Sequence, residues 1–273
     1  MTLLYAILLG IIQGLTEFLP VSSSGHLVLA EALLPTFSRH GILFEILLHV
    51  GTLIAVIIYF RHDLSRITYS FLGKKSIEQE ERKKYRRVGW LILFAMVPTG
   101  IIALLLRSPV EHSFTRPLIA GIFLLISGSL LFTTKFFPAK GRLLTAMRIK
   151  DALIIGIMQG LAVFPGLTRS GATISGGIFS GVDKEAAARF SFLLSIPAIT
   201  AALIFDLPEL RYLAKMNAQL LAYYLVGAAA AGAVGYLSIG WLLKIIRQFR
   251  LFLFSFYCWA IGLIAIIFWL IKS

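Results

Sequence analysis

The stretch Ala6-Ile-Leu-Leu-Gly-Ile-Ile-Gln-Gly-Leu-Thr-Glu-Phe18 recurs as Ala152-Leu-Ile-Ile-Gly-Ile-Met-Gln-Gly-Leu-Ala-Val-Phe164, with seven identities in thirteen positions. At the same offset Ser24-Gly25 meets Ser170-Gly171, and Phe44, Leu47 and Leu48 meet Phe190, Leu193 and Leu194. Apolar helices resemble one another by chance, but chance does not align Gly, Gln and Ser-Gly positions together. The chain therefore reads as two related halves, 1–137 and 152–273, joined by a connector at 138–151.

The composition says where these halves reside. Of 273 residues 58% are hydrophobic and 14% charged, and the mean hydropathy is +0.87. A soluble domain carries about a quarter charged residues. Apolar runs cover 3–19, 42–60, 88–106, 117–137, 152–164, 190–205, 218–243 and 251–271, which leaves no room for a separate soluble domain. The expected class is an all-α integral membrane protein. About 20 apolar residues are needed to cross the hydrocarbon as a helix, so segment 152–164 is too short. Segment 3–19 is marginal and carries Glu17 near its end.

The start of the chain has no basic run and no small-residue cleavage site after its apolar segment, so it is expected to stay in the mature protein. The only cysteine, Cys258, lies in an apolar segment and is read as a small buried hydrophobe. The net charge of +13 fits basic cytoplasmic loops. No segment offers a soluble basic surface interleaved with aromatics, and nucleic acid is excluded as a partner.

Lysine and arginine orient the chain. The stretch 61–87 holds Arg61, Arg66, Lys74, Lys75, Arg82, Lys83, Lys84, Arg86 and Arg87, and is read as a solvated loop with helix character. The connector adds Lys140, Arg142, Arg148 and Lys150, and 244–250 adds Lys244, Arg247 and Arg250. By contrast, 107–116 holds Arg107 and Arg116, and 206–217 holds Arg211 and Lys215. Placing the basic loops inside works if 3–35 and 152–182 each enter and leave on one side, as re-entrant helical hairpins. Each half is then a hairpin plus three transmembrane helices, and three crossings invert the second half relative to the first. Inverted repeats with broken helices place a polar site near the midplane.

The hairpins turn at Phe18-Leu-Pro-Val-Ser-Ser-Ser-Gly-His26 and at Phe164-Pro-Gly-Leu-Thr-Arg-Ser-Gly-Ala-Thr173. Pro and Gly break helices, hydroxyls cap the helix that follows, and freed N–H groups at its start favour an anion. Gln13 and Glu17, four apart, share a helix face. The Gln recurs as Gln159, whereas Glu17 faces apolar Val163 in the alignment. A carboxylate at membrane depth is costly and functional by default, although an interhelical ion pair would also account for it. His26 beside Ser22, Ser23 and Ser24 can move a proton or attack phosphorus itself. Arg169, flanked by Thr168, Ser170, Gly171 and Thr173, suits a phosphate or carboxylate fork, or neutralises Glu17. Together these residues describe a site for phosphoryl transfer.

Other ionisable residues fit blander roles. Glu45 and His49, four apart, face the first tip or form a structural pair, the pair being the preferred reading. Asp183, Lys184, Glu185 and Arg189 read as an interfacial loop.

The motifs Gln13-Gly-Leu-Thr-Glu-Phe-Leu-Pro-Val-Ser-Ser-Ser-Gly-His26 and Pro165-Gly-Leu-Thr-Arg-Ser-Gly-Ala-Thr-Ile-Ser-Gly-Gly177 closely resemble those of the bacterial undecaprenyl-pyrophosphate phosphatases, the bacitracin-resistance protein family. The resemblance runs over essentially the whole chain. It implies removal of the terminal phosphate from undecaprenyl pyrophosphate, which regenerates the lipid carrier for peptidoglycan and other envelope polymers. It implies the outer face of the plasma membrane and a divalent cation, Mg2+ or Ca2+, held by Glu17 with Gln13. Ser23 or His26 would be the nucleophile, with His26 or Glu17 as base in the first case. Arg169, Ser22, Ser24, Gly25, Thr168, Ser170, Gly171 and Thr173 would surround the phosphates. Bacitracin would compete for the substrate rather than bind the protein, and a homodimer is one assembly the resemblance allows. Gln13 stands where some members carry a second Glu, and Thr168 where many carry Ser.

Two other readings compete. A transporter or lipid-carrier flippase would use the same midplane groups without a nucleophile. The other large lipid-phosphatase superfamily opens with Lys, six residues, then Arg-Pro. Here the only Arg-Pro is Arg116-Pro117, with Pro109 at the Lys position, and that reading fails.

Overall fold

The structure is a computed structural model that describes residues 1–33, 41–72, 78–138, 141–206, 208, 211 and 216–272. Among these residues the chain forms α1 (Leu3–Phe18), α2 (Ser23–Leu33), α3 (Gly41–Tyr59), α4 (Arg61–Leu72), α5 (Gln79–Leu105) and α6 (Arg107–Ser113). It continues through α7 (Pro117–Thr133), α8 (Ile149–Leu161), α9 (Arg169–Phe179), α10 (Lys184–Phe205), α11 (Ala218–Arg247) and α12 (Leu253–Lys272). Every apolar run read from the sequence falls on one of these helices. Among the described residues five helices are long and apolar enough to cross a membrane, and α3 with α4, bent by 75°, supplies a sixth if counted as one broken span. The chain is a multi-pass helical membrane protein.

Some polar stretches expected as loops are helical. Residues 61–72 form α4, and α5 begins at Gln79, two turns before its apolar part. Glu80 and Glu81 sit in the first turn of α5, where carboxylates complement the helix dipole. Asp63 is buried on α4 and takes both guanidinium bonds of Arg189 at 2.8 Å, tying α4 to α10. The expected interfacial loop at 183–189 is instead the start of α10. Asp183 caps it, its Oδ1 accepting from Glu185 N and Ala186 N, and Glu185 pairs with Arg247 at 2.7 Å. Residues 107–113 form the short α6. The basic residues Lys74, Lys75, Lys140 and Lys215 lie outside the described residues.

The repeated glycines set the packing. A Cβ on Gly10 would stand 2.3 Å from the Gly227 carbonyl oxygen, and one on Gly14 would stand 2.6 Å from that of Ala231. In the second repeat a Cβ on Gly156 would stand 2.3 Å from the Ala95 oxygen, and one on Gly160 would meet Ile102 at 2.8 Å. Thus α1 lies backbone to backbone on α11, and α8 lies likewise on α5. Membrane helices associate through such small-residue contacts because lipid offers no hydrophobic drive. Beside them Phe18 meets Phe192 edge-on at 5.8 Å, and Phe60 lies 5.7 Å from Phe192, closing a core between α1, α3 and α10. The same core takes in Leu19 and Val21 of the chain break at 19–22.

Candidate active site

The two breaks meet and are bonded to each other. Ser22 has a positive φ of 67°, and Gly166 one of 94°, so both turns pass through the left-handed region. The Ser22 hydroxyl oxygen accepts from Gly25 N at 3.2 Å and from Gly166 N at 3.1 Å. A Cβ on Gly25 would stand 2.8 Å from the Gly166 Cα, so this approach requires glycine. Ser127 of α7 secures the second tip, donating to the Gly166 carbonyl at 2.9 Å and accepting from Thr168 N at 3.0 Å.

Glu17 is the centre of the polar network and is buried. Its Oε1 accepts from Arg169 at 2.6 Å, and its Oε2 accepts from Gln13 at 3.0 Å and from the Ser23 hydroxyl at 3.1 Å. His49 joins from α3, its Nε2 being 3.3 Å from the Gln13 amide nitrogen and 3.7 Å from Glu17 Oε2. The His49 Nδ1 lies 2.9 Å from the Glu45 carbonyl and donates to it, which leaves Nε2 of the neutral ring as an acceptor for Gln13. The Gln13 amide therefore spends both hydrogens, one on His49 and one on Glu17.

A cavity of about 680 Å³ opens beside this network, lined by Glu17, Glu45, His49, Gln159 and Arg169 on its polar side. Its apolar walls include Ile46, Met96, Leu104, Ile199, Leu203 and Phe205, and Arg107 and Asp206 also line it. Polar groups gathered at one part of an otherwise apolar cleft suit an amphiphile.

The predicted residues divide into those that face this network and those that shape it. Glu17, Arg169, Gln13 and Ser23 come together. Ser22 and Gly25 hold the two tips in contact, and Ser24 lies 3.4 Å from Ser22. Thr168 is the cap of α9, accepting from Gly171 N at 3.2 Å, and the absence of a side chain at Gly171 leaves room for its methyl group. Ser170 donates to the Leu19 carbonyl at 3.2 Å, and Thr173 to that of Arg169 at 2.8 Å. All three hydroxyls are buried and engaged within the protein; of the predicted residues Glu17 and Arg169 line the cavity, and Gln13 and Ser23 join it through Glu17.

His26 is turned away from Glu17. Its Nδ1 donates to the Ser22 carbonyl at 2.8 Å, so its Nε2 accepts from the Tyr257 hydroxyl at 2.7 Å, with the two rings stacked at 5.6 Å. The structure brings Glu17, not His26, to the Ser23 hydroxyl. Sequence reasoning passed over Tyr257 entirely, because nothing local marks a tyrosine of α12 as a partner of the first tip. The spacing of Glu45 and His49 favours a pair between them; in the structure the His49 ring bonds the Glu45 carbonyl and also reaches Gln13 and Glu17. Gln159 was legible through its repeat partner Gln13. It donates to Thr99 at 3.3 Å, and its carbonyl oxygen has no hydrogen-bond partner among the described residues.

The cation implied by the resemblance can be tested against this donor set. Glu17, Glu45 and the Gln13 amide offer hard oxygen donors of the kind Mg2+ and Ca2+ take. Among the described residues there is no group of three or more His, Cys, Asp or Glu placed to hold a metal. The set fits a cation shared between one or two carboxylates and phosphate oxygens, the usual mode for Mg2+.

Comparison with known proteins places the chain in a family. The family model for "Bacitracin resistance protein BacA" matches residues 6–264. A protein of Syntrophotalea carbinolica named undecaprenyl-diphosphatase is 42% identical over 262 residues, covering 96% of this chain and 97% of its own. One of the same name from Methanosphaera stadtmanae is 41% identical over 274 residues, covering 97% of each chain. A third, from Methanobrevibacter smithii, is 39% identical over 272 residues, covering 97% and 96%. With both polar motifs inside the matched region and nearly the whole chain aligned, this protein belongs to the BacA family of bacitracin resistance proteins.

Proposed function

We propose that this chain is an undecaprenyl-diphosphatase, a membrane hydrolase that converts undecaprenyl pyrophosphate to undecaprenyl phosphate and phosphate. It thereby recycles the lipid carrier of envelope polymer synthesis. The observation that carries the chemistry is the Ser23 hydroxyl donating to Glu17 Oε2 while Arg169 holds Oε1.

In this reading Glu17 takes the Ser23 proton as Ser23 Oγ attacks the terminal phosphorus. The bond from that phosphorus to the bridging oxygen breaks, and undecaprenyl phosphate departs. Glu17 gives that proton to the departing undecaprenyl phosphate. Water then attacks the phosphoserine, Glu17 takes a proton from it and returns it to Ser23 Oγ, and phosphate leaves. Arg169 releases part of its hold on Glu17 to bind the transferring phosphoryl oxygens, where stabilising developing charge matters most. Gln13, held by His49, keeps Glu17 aimed at Ser23. His26 supports the first tip through Ser22 and Tyr257 rather than acting as base. Glu17, with Gln13 and Glu45, would hold a divalent cation together with the phosphates. Such a cation neutralises pyrophosphate charge when bound. The apolar walls hold the first isoprene units, and the rest of the chain stays in the bilayer.

The two halves, 1–137 and 152–273, lie inverted about the connector 138–151, each with a re-entrant hairpin and three crossings. Support comes from α1 lying on α11 as α8 lies on α5. The cavity faces outward from the plasma membrane. Its lining includes Leu104 and Phe205, at the C-terminal ends of α5 and α10. The N-terminal ends of the same helices carry Lys83, Lys84, Arg86 and Arg87, and Lys184 and Arg189.

The test is phosphate release from C55 or C15 isoprenyl pyrophosphate by the purified chain. Ser23→Ala, Glu17→Gln and Arg169→Ala should each lower kcat by about 10²–10⁴-fold, the range for removing a proton-transfer or charge-stabilising group. Chelation by EDTA should abolish release, and added Mg2+ or Ca2+ should restore it. A phosphoryl group trapped on Ser23 after acid quench would support the covalent route. Full activity in Ser23→Ala would sink it.

A further inference from the structure

A second cavity, of about 770 Å³, lies away from the active site between α4, α5 and the start of α8. Its lining includes Lys83, Arg86, Arg87, Phe71, Trp90 and Phe94. We propose that this cavity seats an anionic phospholipid of the leaflet at the N-terminal end of α5. Three cations gather at one end, all exposed. Lys83 pairs with Glu80 at 3.0 Å, but neither Arg86 nor Arg87 has an ion-pair partner among the described residues. Planar guanidinium groups match phosphate oxygens in paired hydrogen bonds.

The floor below them is aromatic. Gly89 leaves room for it, since a Cβ there would stand 2.6 Å from the Phe71 ring and displace it from its seat on α5. Phe71 then meets Trp90 edge-on at 5.6 Å. Tryptophan at the headgroup level is the usual membrane-interface anchor.

The stripe continues toward the bilayer centre. Trp90, Phe94, Val97 and Ile101 follow at helical spacing, and all four are exposed. From Trp90 to Ile101 the helix rises about 16 Å, close to half of a hydrocarbon core about 30 Å thick. The face thus has cations at one end and an apolar track one leaflet long. Free phosphate would use only the first part; an anionic lipid uses both. Basic cavities between helices at the membrane surface are recognised seats for such headgroups.

The experiment is native mass spectrometry of the full chain offered equal phosphatidylglycerol and phosphatidylcholine. Wild type should retain phosphatidylglycerol about tenfold in preference, the combined effect expected of a few surface cations. K83Q/R86Q/R87Q should bring the ratio to near parity, while K83R/R86K/R87K should keep it. Trp90 supplies an independent readout. Phosphatidylglycerol brominated on its acyl chains should quench wild type more than brominated phosphatidylcholine does, and Trp90→Phe should erase the difference. Equal retention by wild type would overturn the proposal. So would an undiminished preference in K83Q/R86Q/R87Q, quenching blind to the headgroup, or inorganic phosphate competing as well as the lipid. Hydrolysis of C15 pyrophosphate should be unchanged in the glutamine variant, which separates this seat from the proposed active site.

Discussion

Glu17 carries four relationships at once, to Arg169, Gln13, Ser23 and His49, within 2.6–3.7 Å. Each partner constrains the others, because an amide with two hydrogens spent cannot swing and a carboxylate with both oxygens occupied cannot rotate. His49 matters here as an acceptor rather than as a base. His49→Gln, whose side-chain oxygen can replace Nε2, should keep kcat/KM within about threefold, while His49→Ala should lose about tenfold, the worth of one hydrogen bond in a charged network. Steady-state hydrolysis of a C15 pyrophosphate measures both. Equal activity in the alanine variant would mean that Gln13 is held without His49. The sequence named Glu17, Ser23 and Arg169 through chemistry and spacing. It could not show that His26 pairs with Tyr257, which lies 231 residues away, while Ser23 pairs with Glu17.

Helices make this geometry possible by approaching where side chains are missing. Gly156 sits against the Ala95 backbone with room for no further atom, whereas a Cβ on Gly100 would meet nothing within 4 Å. Two Gly→Ala changes in helices should therefore have opposite signs. Gly100→Ala should stabilise by about 0.5–1 kcal/mol by restricting the unfolded backbone, and Gly156→Ala should destabilise by about 1–3 kcal/mol by overpacking. Thermal unfolding in detergent reads both, and a shared sign would refute backbone contact as the basis of the α5–α8 packing. At this scale the sequence was most legible in apolar runs, where length and composition define a helix. It was least legible at 61–72, 107–113 and 183–189. Charged residues there look like loop until their partners are seen. Asp63 and Arg189, or Glu185 and Arg247, neutralise one another across helices and let polar segments stay helical.

The whole molecule presents two unlike ends. Cations crowd the N-terminal ends of α5 and α10, while the proposed catalytic cavity reaches their C-terminal ends. The outward orientation can be checked with single cysteines in a Cys258→Ala background, Cys258 being fully buried and the only thiol in the chain. In intact cells, Arg107→Cys should react with a membrane-impermeant maleimide, and Lys84→Cys only after permeabilisation. The reverse pattern would place the cavity on the inside.

The sequence by itself determined the membrane class, the helix-forming runs, the recurring Gly-x-x-Gln-Gly motif and the two hydroxyl-rich breaks, because periodicity, composition and repetition are properties of the chain read in order. Tertiary structure alone decided which polar groups work together. Glu17 meets Arg169 across 152 residues, and Ser22 accepts from Gly166 across 144. Such contacts form when glycine-lined helices close on one another. At that point each donor takes the acceptor that packing leaves within reach, and no local pattern records the choice.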